Sequence, residues 1–295
     1  MIYHSIIYNF PFTVQKASSS IFRFARSLLI AGIVAILFWS VILMIFEEKF
    51  VFFPAGYSDS YYRSAAFGLN PEDHWFTAED GIKLHAWFVR AENPLGVLLN
   101  FHGNAGNLAN RSEKIRRLKN AGLSVFIFDY RGYGRSEGSP TEDGAYMDGR
   151  AAYDYLVGLP GVDSVIIHGT SLGGAVAVDV AASRAARAMV LESTFSSARD
   201  VAAYAYPFLP VRFMMRTGLD SEAKIPSIHI PLLFIHGSDD SIIPLRLGRK
   251  LFEAASEPKE FHTIEGADHN DVFLVGGDRY TGLIRDFALR TRTAK

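Results

Sequence analysis

Six short strand-like runs, five of them apolar and most followed by a stretch with helical periodicity, constrain this chain more than any other feature. Gly96–Phe101 (GVLLNF), Ser124–Asp129 (SVFIFD), Ser164–His168 (SVIIH), Arg187–Leu191, Leu232–Ile235 and Glu260–Ile264 read as strands. Outside the mixed Glu260–Ile264 run, their apolarity is largely continuous rather than alternating, which is what a strand buried on both faces needs. Helices are expected over Arg111–Ala121, Thr141–Val157, Ser171–Ser183, Leu245–Ala255 and Asp271–Arg290. Strands joined through helices imply crossover connections, hence an α/β fold with a mostly parallel central sheet and helices on both faces. Ahead of them, His74–Ala78 and Lys83–Arg90 flank the turn dipeptide Asp80-Gly81 and predict a hairpin that forms an antiparallel edge.

The chain has 295 residues, enough for one sizeable domain, and a formal net charge of −1. So small a charge supplies no general attraction to nucleic acid, and no nucleic-acid partner is expected. With no cysteine, a disulfide scaffold, a thiol nucleophile and thiolate metal ligation are excluded. The nine histidines show no metal-ligand spacing, so neither metal nor cofactor is expected. One segment departs from this soluble pattern. Ser27–Phe46 (SLLIAGIVAILFWSVILMIF) carries no charge and no proline. About 20 such residues cross a bilayer core as a helix. The run is too long for the apolar part of a cleaved signal peptide and no clear cleavage site follows, which predicts an uncleaved single-pass signal anchor. Lys16, Arg23 and Arg26 precede it, and Lys49 and Arg63 follow. That balance favours a cytoplasmic N-terminus and the rest of the chain on the other side. Residues 1–26 form a tail whose apolar start (Ile2, Tyr3, Ile6, Ile7, Tyr8) suits either a membrane interface or disorder, and 47–70 reads as a connector.

Gly169-Thr170-Ser171-Leu172-Gly173 fits G-x-S-x-G between a buried strand and a small-residue helix. A tight turn in that place raises the serine hydroxyl at the sheet's C-terminal edge, over a helix N-terminus whose partial positive charge suits an oxyanion. Serine needs a base to take its proton, and that base needs a carboxylate to orient it. His269, after the last strand, is the expected base. Asp239 and Asp240 both follow the Leu232–Ile235 strand, and Glu192 ends another, so the acid has three candidates. The oxyanion donors are expected to be the N–H of Leu172 and one from the loop His102-Gly103-Asn104-Ala105-Gly106-Asn107, at Asn104 or alternatively Ala105. His102, Asp129 and Arg131 are expected to brace loops.

Taken together, these motifs resemble the α/β-hydrolase family, in its membrane-anchored Bem46-like branch. The resemblance rests on the anchor, Phe53-Pro54, Glu79-Asp80-Gly81, FHGNAGN, DYRGYGRSEGSP, GTSLGG, ESTFSS, IHGSDDSIIP and GADHN, and spans Glu47 to the C-terminus. It implies the α/β-hydrolase fold over 71–295 and hydrolysis of esters, thioesters or amides. It also implies the acid pattern H-G-x-x-D-x-x-[VI]-P, which falls on His236, Gly237, Asp240, Ile243 and Pro244 and selects Asp240.

The expected reaction is acyl transfer to water: Ser171 attacks, His269 moves the proton, Asp240 orients His269, and Asn104 with Leu172 holds the oxyanion. Residues 196–227 interrupt the strand–helix rhythm and should form a small cap. Its Tyr204, Tyr206, Phe208, Leu209, Phe213, Met214 and Met215 would line a lipid-like acyl pocket or pack as core. An amidase or peptidase with the same residues, and a silent membrane scaffold, are the competing readings.

Overall fold

The computed structural model describes residues 14–292, so the apolar start of the tail lies outside the described residues. Two units separate at Phe46. The first is the helix α1 (Val14–Ile45), which contains one segment long and apolar enough to cross a membrane, Ile21–Ile42. None of that segment is buried inside the protein, so it is not a core helix. It starts earlier than the uncharged run because Arg23 and Arg26 fall within its first turns. Long basic side chains at a span's end can extend toward water.

The second unit begins at Glu47. It opens with α2 (Glu47–Val51) and α3 (Asp59–Ala66), then the strands β1 (Glu72–Thr77) and β2 (Lys83–Val89). The stretch read as a connector is thus partly helical, and it buries Phe52, Tyr62 and Leu69. There follow β3 (Gly96–Phe101), α4 (Ser112–Asn120), β4 (Leu123–Phe128), α5 (Glu142–Val157), β5 (Val165–Thr170), α6 (Leu172–Ser183) and β6 (Ala188–Glu192). A helical insertion holds α7 (Ala198–Ala205), α8 (Val211–Met214) and α9 (Ser221–Lys224). The chain closes with β7 (Leu232–Gly237), α10 (Leu245–Ala254), β8 (Lys259–Ile264), α11 (Val272–Val275) and α12 (Gly277–Arg292).

All eight strands form one sheet in the order β1-β2-β4-β3-β5-β6-β7-β8. The first hairpin is antiparallel and joins β4 antiparallel, while β3 to β8 pair in parallel. Side chains alternate between two core layers. Leu99, Phe101, Phe126, Phe128 and Phe234 share one with α5 and α6; Leu98, Val125, Ile127, Ile166 and Ile235 share the other with α4 and α12. Both faces are covered, which is why these strands lack a polar face. Thr141 caps α5 by accepting from the Gly144 N–H at 3.0 Å, and Gly122 ends the α4 region with φ +86°.

The expected last helix, Asp271–Arg290, is two helices. The chain breaks at Gly276-Gly277, where Gly277 has φ +48° and a side chain on Gly276 would meet the Val272 carbonyl at 2.7 Å. Paired glycines give up helix continuity cheaply, and beyond the break Tyr280 is wholly buried.

Candidate active site

In a doubly covered parallel sheet, the loops at the C-terminal strand ends converge. Ser171, at the end of β5, has φ 54° and ψ −123°, a strained backbone for any residue but glycine. The turn is held by its neighbours: the Ser171 N–H donates to the Glu192 carbonyl at 2.9 Å, and the Thr194 hydroxyl donates to the Ser171 carbonyl at 2.9 Å. The flanking glycines are required by contact. A Cβ at Gly169 would lie 2.7 Å from Ala177 Cβ, and one at Gly173 would lie 2.2 Å from the Phe101 carbonyl oxygen.

His269, after β8, places Nε2 2.9 Å from Ser171 Oγ, and its Nδ1 is 2.8 Å from Asp240 Oδ2. All three residues are buried. The other Asp240 oxygen accepts the backbone N–H groups of Ile242 (3.1 Å) and Ile243 (2.7 Å), and His236 Nε2 stands 3.2 Å from Oδ2. Burial raises the Asp240 carboxyl, but hydrogen bonds from His236, His269 and Ile243 outweigh it and hold the group well below the usual carboxylate range. An ionised carboxylate only accepts, so Nδ1 of His269 carries the hydrogen and Nε2 offers its lone pair to the serine hydroxyl. Such a chain of contacts can deprotonate a serine during attack and return the proton to a leaving group.

The other carboxylates do different work. Asp239 is exposed and accepts from the Ser238 hydroxyl at 2.9 Å. Asp268, also exposed, ties two loops by accepting the Ser241 and His269 N–H groups at 2.8 and 2.7 Å. The Glu192 carboxylate is taken up by other partners. It meets Lys114 Nζ at 2.8 Å through both oxygens, the Tyr280 hydroxyl at 2.7 Å and His168 Nε2 at 3.3 Å. Burial pushes the Glu192 carboxyl up, but Lys114 and His168 pull it well below its ordinary value. Lys114 and Tyr280 escape the motif reading; the available signal was a lysine flanking Ile115 and Leu118 on the apolar face of α4.

The loop after β3 passes close to the serine, since a Cβ on Gly103 would lie 3.5 Å from Ser171 Cβ. Asn104 follows it, and Leu172 opens α6 beside Ser171. His102 Nδ1 sits 2.8 Å from the Gly103 carbonyl, and its Nε2 is 3.5 Å from Asp129. Asp129 accepts from the Leu108 N–H (2.7 Å) and the Tyr62 hydroxyl (2.9 Å). Arg131 binds Asp148 and Asp80. In the insertion, Tyr206, Phe208 and Phe213 stand out in solvent, Phe208 at 96% and Phe213 at 92% exposure, rather than packing as core. Among the described residues no cluster of His, Asp and Glu could hold a metal ion.

Known proteins match this arrangement over nearly its whole length. Protein bem46 of Schizosaccharomyces pombe is 32% identical over 92% of this chain and 95% of its own. The α/β hydrolase domain-containing protein WAV2 of Arabidopsis thaliana is 33% identical over 89% and 91%. The chain belongs to the α/β-hydrolase family, in its Bem46-like branch. An uncharacterized protein of Mycobacterium tuberculosis is 38% identical over 90% of this chain and 96% of its own. The pattern of the serine aminopeptidase S33 family matches residues 92–211, from just before β3 to the start of α8. Among solved structures, the Pyrococcus furiosus esterase Pf2001 superposes with a TM-score of 0.65 at 19% identity, over 78% of this chain and 93% of its own. That likeness shows the fold. At the level of family, this Bem46-like chain is a hydrolase.

Proposed function

We propose that this chain is a membrane-anchored serine hydrolase that cleaves carboxylic esters or thioesters through an acyl-enzyme. Ser171 attacks the carbonyl carbon, and its proton passes to His269 Nε2. Asp240 holds the imidazole and stabilises its charged form. The N–H groups of Asn104 and Leu172 take the developing oxyanion. His269 then protonates the leaving group, and a water activated by the same imidazole releases the acid. The observation that carries this reading is the contact of 2.9 Å between Ser171 Oγ and His269 Nε2, with Asp240 2.8 Å behind it. Removing the hydroxyl of such a serine costs roughly 10⁶ in kcat. A fluorophosphonate probe is therefore expected to label the full-length protein in detergent and to leave Ser171→Ala unlabelled. Absence of labelling in a well-folded wild type would instead favour a silent scaffold.

An apolar acyl group fits the exposed Phe208, Phe213 and Tyr206 of the insertion, because apolar surface of this kind marks contact with apolar ligands or lipid. The Ile21–Ile42 segment serves as the anchor. Basic residues before it outweigh those after it, which favours a non-cytoplasmic hydrolase unit. The serine aminopeptidase match over 92–211 favours a second reading, hydrolysis of amides at the same serine. Comparison of acyl esters of increasing chain length with aminoacyl amides separates the two.

A further inference from the structure

The segment that follows the apolar helix is bound to the loop proposed to supply the oxyanion donor. The Asn104 side chain donates from Nδ2 to the Val51 carbonyl. Its Oδ1 accepts the Phe53 N–H at 3.0 Å and the Tyr133 hydroxyl at 2.9 Å. Two residues on, Pro54 and Gly106 form a parallel bridge: the Ala55 N–H donates to the Gly106 carbonyl at 3.0 Å, and the Gly106 N–H to the Phe53 carbonyl at 3.3 Å. Asn107 Nδ2 reaches the Gly56 carbonyl at 3.2 Å. At its other end the segment holds the insertion, where Glu47 accepts the Thr217 N–H at 2.7 Å and the Arg216 N–H at 3.1 Å. Phe52 is buried between these ties.

This strap completes the support of one peptide plane. The Gly103 carbonyl has partners of its own, His102 Nδ1 at 2.8 Å and Arg111 Nη2 at 3.2 Å. In a trans peptide the next N–H points opposite to that carbonyl, so fixing the Gly103 oxygen fixes the direction of the Asn104 N–H. Residues 103–107 belong to no helix or strand that would orient this plane by itself. An oxyanion donor works through preorganisation: the hydrogen must already point at the place where charge develops. An error of about 1 Å in such a site can cost on the order of 10²-fold in rate.

We infer that the strap Glu47–Gly56 is part of the catalytic apparatus, and that it positions the oxyanion-stabilising Asn104 N–H through the Asn104 side chain. Asn104 thereby has two functions, its backbone facing the substrate and its side chain fastened to the strap. Tyr133 is a positioning residue in the same tie. The inference rests on the proposed serine hydrolase reading. The test uses the full-length chain in detergent, with a p-nitrophenyl ester and a boronic acid that mimics the tetrahedral intermediate. Asn104→Ala keeps the backbone N–H but removes the side-chain bonds that join it to Val51, Phe53 and Tyr133. It is expected to lower kcat 10- to 100-fold with KM within twofold, and to weaken boronic acid binding by the same factor as kcat/KM. Tyr133→Phe removes one of the two hydrogen bonds to Asn104 Oδ1 and is expected to lower kcat about fivefold, again with KM kept, as loss of one such bond implies. If Asn104→Ala does not fold, Tyr133→Phe decides. Folded variants with kcat and boronic acid affinity within twofold of wild type would overturn the inference. A wild type that neither turns over ester nor reacts with fluorophosphonate would instead bring down the hydrolase reading beneath it.

Discussion

Asp239 is exposed and Asp240 is buried, although they are neighbours in one loop after β7. The difference follows from what each carboxylate meets: Asp240 collects two backbone N–H groups and two imidazoles, and Asp239 one hydroxyl. Asp240→Asn is expected to lower kcat by roughly 10⁴-fold with little change in KM, because the amide permits the wrong His269 tautomer. Steady-state kinetics on an ester check this. The same substitution has a signature in stability. The folded carboxyl lies below its ordinary value of 3.8, so its contribution is fully present above about pH 4 and is lost as pH falls through the folded value. Melting temperature plotted against pH should therefore fall less steeply below about pH 4 in Asp240→Asn than in wild type. Equal slopes would show that Asp240 adds nothing to acid stability. At this scale the candidates Ser171 and His269 were legible in the sequence, since each sits in a loop after a strand-like run, whereas Asp240 was separated from Asp239 only by the family resemblance. Lys114 and Tyr280 were not legible, because their partner Glu192 is distant in the chain and nothing local announces the pairing.

At the scale of elements, α4, β5, β6 and α12 meet through buried polar groups. Glu192 on β6 takes Lys114 from α4, His168 from β5 and Tyr280 from α12, and its carbonyl holds the Ser171 N–H. Removing one member of a buried ion pair leaves a bare charge, at a cost of about 3–5 kcal/mol, whereas removing both is far milder. Glu192→Gln should thus lower the melting temperature markedly, and Lys114→Met/Glu192→Gln should recover part of that loss. A double variant less stable than Glu192→Gln would contradict this account. The break between α11 and α12 belongs to the same device, since beyond it Tyr280 is buried with its hydroxyl on Glu192. Helical periodicity alone ran the two helices together.

At the scale of the whole molecule, the chain joins an apolar helix to an α/β-hydrolase unit that starts at Glu47. The Ile21–Ile42 segment has 22 residues, about 33 Å as a helix, against a bilayer core of about 30 Å. The full-length protein is expected to stay with membranes after alkaline carbonate extraction. Ile33→Arg/Val34→Arg should shift it to the soluble fraction, since each central arginine costs about 3 kcal/mol of insertion on the translocon scale. Protease added outside sealed cells or spheroplasts should reach the hydrolase unit. Protection of that unit until lysis would reverse the orientation while leaving the anchor intact.

The sequence by itself determined what depends on local pattern. Apolar runs and helical periodicity specify the strands, helices and parallel sheet, and the glycine-flanked serine specifies its own strained turn. A long uncharged run specifies a helix suited to lipid. Tertiary structure decided whatever depends on meeting across the chain. It gave Asp240 rather than Asp239 the backbone and imidazole donors, turned Glu192 toward Lys114, and laid residues 47–56 against the loop at Asn104. These contacts join residues far apart in sequence, and hydrogen bonds of that kind are chosen by the folded geometry of both partners, which no local spacing encodes.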